Sequence, residues 1–160
     1  ISSTNDMRES TNTENDIIKN NNYTLATDTA LHILPPRPKD EVPYLDFSSL
    51  QNALLKLQAA TDTLWNKWSK ITAASTNADA FNKALYQAEQ QLLLPNGLPR
   101  RSWYKHSIYA PGLYTGYGVK TMPGVREAIE QRNWKEAQEQ INLDAETINK
   151  FANYLNDAAK

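Results

Sequence analysis

Residues Pro95–Gly124 read PNGLPRRSWYKHSIYAPGLYTGYGVKTMPG and lie between two regions with a helical pattern. This segment holds all five glycines of the chain, four of its eight prolines and four of its eight tyrosines. Because glycine and proline interrupt regular backbone, the segment is predicted to be ordered irregular chain rather than one helix or strand. A loop of this length in a compact domain is usually functional, and its aromatic residues predict that it packs against another surface.

The region before this segment carries an apolar stripe at alternating spacings of four and three, typical of one face of a helix. The stripe consists of Leu50, Leu54, Leu57, Thr61, Leu64, Trp68 and Ile71. Ser48 or Ser49 is expected to cap this helix, with Phe47 packed over its first turn. A second helix, capped by Asn77 or Asp79, follows after a short link, which predicts that the two helices are antiparallel neighbours.

The region after the segment predicts two more helices. Pro123 opens the third helix, because proline is tolerated in a first helical turn. Asn133 is expected to cap the fourth helix, whose apolar stripe is Trp134, Ala137, Ile141, Ala145, Ile148, Ala152 and Leu155. These four helices predict an all-α fold, an antiparallel up-and-down four-helix bundle with a long ordered irregular segment between the second and third main helices.

The N-terminal region has a different composition. Its first 22 residues contain six Asn, three Ser and three Thr, so residues 1–24 are predicted to be a flexible polar linker or tail and residues 25–160 the helical domain. A short helix is expected over Leu25–Leu34, with His32 as a packed structural residue. Asn22 begins an N-glycosylation sequon, Asn22-Tyr23-Thr24, which would be used if the chain enters a secretory lumen.

Charge and composition argue against several classes of function. The formal net charge of -1 gives no strong general attraction to nucleic acid or acidic membranes. The chain has no cysteine, and His32 and His106 lie far apart, so no metal site and no resident cofactor are expected. No apolar run reaches the roughly 20 residues needed to span a bilayer. The chain begins at Ile1 rather than Met, which suggests a fragment or a processed product.

Catalytic and nucleic-acid-binding alternatives both fall within the central segment. Ser102 or Ser107 beside His106 is the only candidate nucleophile and base, and adjacency in sequence does not supply the required geometry, so no catalytic residue is predicted. The run Arg100–His106 interleaves basic and aromatic residues as nucleic-acid patches do. In a chain of neutral charge, a structural loop whose arginines pair with carboxylates is favoured. The pairs Glu127/Glu130 and Glu136/Glu139 are read as solvated surface charges.

Several short motifs follow one another in a fixed order through the central segment. They are Gly97-Leu98-Pro99, Arg101, Trp103-Tyr104-Lys105-His106, Ile108-Tyr109-Ala110-Pro111-Gly112, Tyr117-Gly118 and Met122-Pro123-Gly124-Val125. Together they resemble the C-terminal helical, or dimerisation, domain of the transferrin receptor and glutamate carboxypeptidase family of zinc-peptidase-like proteins. The resemblance extends more loosely over residues 46–160.

The resemblance implies a homodimerisation domain that is not catalytic by itself. It implies two partners, a second copy of the chain and the zinc-peptidase-like domain of the parent protein, with any zinc held by that domain. It also implies a membrane-anchored parent that displays this domain on the extracellular, lumenal or vacuolar side. Contact of this segment with nucleic acid or membrane is not expected.

The alternative function implied by the resemblance is completion of the substrate pocket of an active zinc exopeptidase, either a carboxypeptidase or an aminopeptidase. Active members of the family close their pocket with a loop of this domain. Tyr117, flanked by Gly116 and Gly118, falls where glutamate-selective members place a pocket tyrosine. Gly116 replaces the lysine that precedes that tyrosine, which puts glutamate selectivity in doubt.

Exposed aromatic residues are candidates for the interface with a second copy or with the peptidase-like domain, since interface cores favour them. The candidates are Trp65, Trp103, Tyr104, His106, Tyr109 and Trp134. A dimerisation module and a component of a peptidase pocket therefore both remain open as functions.

Overall fold

The computed structural model describes residues 1–23, 28, 30–31, 34–70 and 78–159. The chain forms two compact units, Ile1–Tyr44 and Leu45–Lys160, so the predicted boundary at residue 24 falls inside the first unit. Most of the helix expected over Leu25–Leu34, including His32, lies outside the described residues, as do Ile71, Asn77 and the link between the second unit's first two helices.

The first unit contains helix α1, Ser2–Lys19, where the sequence predicted an irregular tail. The buried side of α1 is polar, so a search for apolar periodicity does not find it. Its residues at spacings of four, three and four are Thr4, Arg8, Thr11 and Asn15. Arg8 Nε donates to the Val42 carbonyl oxygen at 2.9 Å, and the Asn15 amide exchanges two hydrogen bonds of 2.8 Å with the Lys39 backbone. Hydrogen bonds to an extended segment thus stabilise a helix whose composition predicts disorder.

The described part of the second unit is mostly helical, which confirms the predicted predominance of helix. Its elements are α2 Ser48–Trp68, α3 Ala78–Ala88 continued by a 3-10 turn Glu89–Leu92, β1 Tyr109–Pro111, β2 Val119–Thr121, α4 Pro123–Glu130 and α5 Trp134–Ala158. The segment between the 3-10 turn and α4 is irregular as predicted, except for the short antiparallel hairpin of β1 and β2.

Helices α2 and α5 pack along their lengths and run in the same direction. At their N-terminal ends, the Gln138 side-chain amide exchanges hydrogen bonds of 2.8 and 2.9 Å with the Asp46 backbone. At their C-terminal ends, Lys67 Nζ donates to the Ala159 carbonyl oxygen at 2.7 Å. An up-and-down bundle would make its first and fourth helices antiparallel, so that prediction is corrected. Helix α3, the long segment and the short α4 lie between α2 and α5 and together return the chain to the end where α2 begins.

The buried face of α2 is rotated from the predicted stripe. Ala53 and Ala60 are fully buried, whereas Leu54 and Trp68 keep 49% and 46% of their surface exposed. Alanine has the smallest apolar side chain, so it allows close packing against α5, where Ala152 is also fully buried. Leu50 and Leu64 of the predicted stripe remain buried, whereas Leu54 and Trp68 lie toward solvent.

The ends of the helices follow local hydrogen bonding. Asn133 caps α5 as predicted, since its side chain accepts from the Glu136 amide, and Pro123 begins α4 as predicted. The N-cap of α2 is Phe47, one residue before the predicted Ser48, and no side chain caps the helix there. Asp46 Oδ1 accepts from the Ser48 amide at 2.8 Å just before the helix. This interaction with Ser48 lowers the pKa of Asp46.

Candidate functional site

The hairpin of residues 109–121 is the part of the central segment that projects from the helices. Its strands pair Tyr109 with Thr121 and Pro111 with Val119, and the loop Gly112–Gly118 joins them. The Gly112 amide donates to the Gly118 carbonyl oxygen at 2.9 Å, which closes the loop. The sequence does not predict these strands, because three residues each are too few for a period-two pattern.

The tip of the loop is open. Tyr117 is fully exposed, and Tyr114 is 79% exposed. Gly116 has a φ of +66°, a left-handed conformation that glycine adopts without strain, and a Cβ atom built there meets no atom within 4 Å. The predicted pocket residues Gly116, Tyr117 and Gly118 are therefore together at one tip, presented toward solvent.

A buried ion pair holds the base of this loop. Arg101 Nη2 lies 2.8 Å from Glu127 Oε1, and each side chain is only 3% exposed. The same Glu127 oxygen accepts from the Leu113 amide at 2.8 Å, and Arg101 Nη1 donates to the Pro111 carbonyl oxygen at 2.5 Å. We call Arg101 and Glu127 the buried clamp, because together they fix the point where β1 enters the loop.

The position of Glu127 corrects its interpretation as a solvated surface charge. On α4, Glu127 is buried together with Val125, Ala128 and Ile129. A carboxylate is rarely buried without a partner, and that partner, Arg101, is 26 positions earlier. Helical spacing alone therefore could not show that Glu127 is buried. The sequence feature that pointed to a pairing was Arg101, a charged residue that stands by itself among the ordered motifs.

The neighbouring arginine forms a second pair nearer the surface. The guanidinium of Arg100 donates two hydrogen bonds, of 2.9 and 2.8 Å, to the carboxylate of Glu136 at the start of α5. These hydrogen bonds raise the pKa of Arg100. The prediction that arginines of this run pair with carboxylates is confirmed, and Glu136, with a side chain 17% exposed, is less solvated than predicted.

His106 lies in a small aromatic cluster that braces the hairpin. Its Nδ1 accepts from the Ile108 and Tyr109 amides at 3.2 and 3.4 Å, and its ring lies 4.0 Å from the Tyr109 ring. The Tyr109 hydroxyl donates to Glu89, whose carboxylate is also 3.6 Å from His106 Nε2. Burial lowers the pKa of His106, which favours the neutral imidazole, and the two amide donors to Nδ1 assign the remaining ring proton to Nε2.

Among the residues that the structure describes, the hydrogen bonds to His106 Nδ1 come from backbone amides and not from the hydroxyl of Ser102 or Ser107. The two backbone amides occupy His106 Nδ1, and Ser107 is fully buried. Within the described residues, Ser107 Oγ has no hydrogen-bond partner. The Ser107 backbone amide instead donates to the Leu92 carbonyl oxygen at 3.0 Å, a structural contact.

The six aromatic interface candidates do not form one surface. Trp103 is 72% exposed in the central segment. Three further interface candidates, Tyr104, His106 and Tyr109, follow it along the same segment. Trp134 begins α5 and is half-buried, with the Arg132 guanidinium 6.0 Å from its ring centre. Trp65 is near the C-terminal end of α2, beside the end of α5. A helix of 25 residues is about 37 Å long, so Trp65 and Trp134 lie at opposite ends of the helix pair.

The remaining sequence predictions concern glycosylation, metals and membranes. Asn22 is exposed just after α1, whereas Thr24 of its sequon lies outside the described residues. Across the described ranges, no group of three His, Asp or Glu side chains could hold a metal ion. No helix among those residues is long and apolar enough to cross a bilayer.

Comparison with known proteins identifies the family. Residues 45–156 match the family model of the transferrin receptor-like dimerisation domain. Two similar proteins are named as probable glutamate carboxypeptidases. One, from Arabidopsis thaliana, is 34% identical over 104 residues, which are 61% of this chain and 15% of that protein. The other, from Arthroderma benhamiae, is 30% identical over 110 residues, which are 66% of this chain and 15% of that protein.

A third relative, from Saccharomyces cerevisiae, is named as a candidate zinc metalloprotease. It is 37% identical over 86 residues, which are 49% of this chain and 11% of that protein. The chain thus spans a sixth or less of the length of these relatives, while the family model covers more than half of the chain. The chain belongs to the transferrin receptor-like dimerisation domain family.

Proposed function

We propose that this chain forms a homodimer and acts as the dimerisation domain of a glutamate-carboxypeptidase-like parent protein. It is not catalytic by itself. Its partners are a second copy and the zinc-peptidase-like domain of the parent, which holds the zinc. Family membership supports this proposal, and the exposed apolar side of α2 is the observation that carries it.

That exposed side, which we call the outer stripe, consists of Leu54, Thr61, Trp65 and Trp68. Trp65 is 66% exposed, and its ring lies 5.5 Å from the Trp68 ring in an edge-to-face arrangement. Two large apolar rings left in water at helical spacing are costly for a monomer and favourable as interface anchors. A self-complementary stripe on one helix suits a two-fold contact, in which the same patch occurs on both copies.

The test of this function is the mass of the 160-residue chain in solution. Sedimentation at micromolar concentration is expected to give a species of twice the monomer mass of 18.1 kDa that dissociates on dilution. A single monomeric species across the whole concentration range would contradict dimerisation of this chain.

A second proposed function is completion of a substrate pocket in the parent protein. The open tip of the hairpin and the buried clamp beneath it support this function, because a pocket-lining side chain must be held in place before substrate binds. Tyr117 would reach the substrate, and Gly116 gives no side chain at the place where a lysine would add a positive charge. A parent with this loop is therefore expected to favour acidic C-terminal residues only weakly.

Replacement of Tyr117 by alanine in the full-length parent is expected to lower kcat/KM for a glutamate-terminated dipeptide. Loss of one pocket contact is worth about 1–3 kcal/mol, or about 5- to 150-fold in kcat/KM. The matched control is Tyr86→Ala, which removes a tyrosine 82% exposed on α3. Equal activity of both variants and the unchanged parent would exclude the pocket function and leave dimerisation untouched.

We also propose where in the cell the parent protein is located. The parent is membrane-anchored and displays this domain on the extracellular, lumenal or vacuolar side, with a glycan on Asn22. Exposure of Asn22 after α1 supports access for the glycosylating enzyme. Treatment of the parent, isolated from its own cells, with an N-glycosidase should reduce its mass, and Asn22→Gln should remove the glycan from this site. An unglycosylated Asn22 would contradict this part.

A further inference from the structure

The buried stripe of α5 contains a carboxylic acid at a core position. Asp144 is 2% exposed and falls between Ile141 and Ile148, which are 0% and 3% exposed. The predicted stripe stepped from Ile141 to Ala145 and passed over this residue. Asp144 is three residues after Ile141 and four before Ile148, so it fits the helical spacing of the buried stripe equally well. An acidic residue at a position with core spacing is unusual, and the sequence alone could have identified Asp144 on that ground.

Two buried oxygen atoms on this side of α5 lack partners. Within the described residues, neither Asp144 Oδ2 nor Gln140 Oε1 has a hydrogen-bond partner. Gln140 Oε1 lies against Gly124 in the first turn of α4, where an added Cβ atom would overlap it. Residues four apart on a helix are neighbours, so the two side chains share one side of α5.

An ionised carboxylate cannot satisfy this arrangement. Both carboxylate oxygens and an amide oxygen only accept hydrogen bonds, so an ionised Asp144 would leave two buried acceptors without partners on one side of α5. A protonated carboxyl group carries an O–H donor and can satisfy both groups with one hydrogen bond.

We propose that Asp144 is protonated in the folded domain and donates a hydrogen bond to Gln140 Oε1, so that the second unit loses stability as the pH rises from acid towards neutral. The side chain then acts as a pH-sensitive element inside the dimerisation domain. Its effect on the fold does not depend on the dimer or the pocket.

The local charges are consistent with a neutral acid. Burial raises the pKa of Asp144 to about 7, and burial is the sole cause of the shift. The elements packed against α5 carry other ionisable side chains, namely Lys56, Asp62 and Lys67 on α2, Asp79, Lys83 and Tyr86 on α3, Glu89 in the 3-10 turn, and Arg126, Glu127 and Glu130 on α4. On α5 itself, the flanking charges are Glu139, Glu146 and Lys150. None of these contributes to the shift.

The direction of the pH effect follows from proton binding. The unfolded carboxyl group, with an ordinary pKa of 3.8, loses its proton at a pH where the folded one retains it. Stability from this group is therefore fully present below pH 3.8, falls between pH 3.8 and about 7, and levels off above. Between pH 5 and pH 8 the folding equilibrium constant falls about 100-fold through this group.

The experiment compares Asp144→Asn with the unchanged 160-residue chain in urea unfolding at pH 5 and pH 8. All four tryptophans lie in the second unit, so their fluorescence reports its unfolding. Asparagine keeps the shape and the donor without the ionisation. The ratio of folding constants, variant over unchanged chain, is expected to rise about 100-fold from pH 5 to pH 8. The exposed control Glu146→Gln should give a ratio that does not change with pH. Any titration of His106 is common to all the chains and cancels in the ratio.

A ratio that stays constant for Asp144→Asn would overturn the proposal. Should that variant fail to fold, carbon-13 NMR titration of the unchanged chain decides the question. A carboxyl resonance of Asp144 that titrates near pH 7 supports the proposal, and one that titrates near pH 4 overturns it.

Discussion

Replacement of Arg101 by methionine is expected to lower the free energy of unfolding of the second unit by about 3–5 kcal/mol. The side chain of methionine retains much of the apolar stem but none of the charge. Glu127, 3% exposed, would then keep a buried negative charge that accepts a hydrogen bond from the Leu113 amide but has lost its arginine partner. Such a charge is costly because protein interior solvates it poorly.

The control for this prediction is Arg100→Met. Arg100 has a comparable bidentate partner in Glu136, but its side chain is 36% exposed, so its loss should cost about 1 kcal/mol or less. Urea unfolding followed by tryptophan fluorescence measures both variants. The double variant Arg101→Met with Glu127→Leu should regain part of the lost stability, since no unpaired charge remains. Equal losses for Arg100→Met and Arg101→Met would refute the buried clamp.

Loss of the two tryptophans of the outer stripe should weaken self-association strongly. Hot-spot aromatic residues at interfaces each contribute about 2 kcal/mol or more to binding, so Trp65→Ala with Trp68→Ala is expected to raise the dimer Kd about 1,000-fold. Trp68 also contacts Phe81, at 5.9 Å between ring centres, so some loss of fold stability is expected from this variant.

Trp65→Ala alone separates association from folding, because its ring is largely exposed and packs on Trp68. It should raise the dimer Kd about 30-fold while leaving the urea midpoint nearly unchanged. Trp103→Ala removes an equally exposed tryptophan from the central segment and serves as the matched control. If Trp103→Ala weakens the dimer and Trp65→Ala does not, the interface lies on the central segment instead.

The helices of the second unit were predictable because their apolar spacing and caps are local. Asn133 and Pro123 act within one helical turn, and the long apolar stripes of α2 and α5 are sufficient to predict two helices. The direction of α5 relative to α2 was not predictable, because it depends on the path of the segment between them. The rotation of α2 likewise depends on how closely Ala60 and Ala152 approach across the pair.

Polar residues account for most of the differences between sequence and structure. Helix α1 is held by Arg8 and Asn15, and the hairpin is held by Glu127. In each case the stabilising contact is a hydrogen bond to backbone far away in sequence. The spacing of apolar residues along the chain does not indicate such contacts. The loop around Tyr117 was identified by its resemblance to a family, whereas the clamp beneath it required the three-dimensional structure.

The most direct test of the central claim, that copies of this chain associate through the outer stripe, is an intermolecular distance. The chain has no cysteine, so Asp62→Cys places one spin label on the exposed side of α2 beside the stripe. Double electron–electron resonance is expected to show one defined distance between two labels, which disappears on dilution with unlabelled chain and in the background of Trp65→Ala with Trp68→Ala. Absence of that distance at micromolar concentration, or its persistence at full strength in the folded double variant, would contradict the claim.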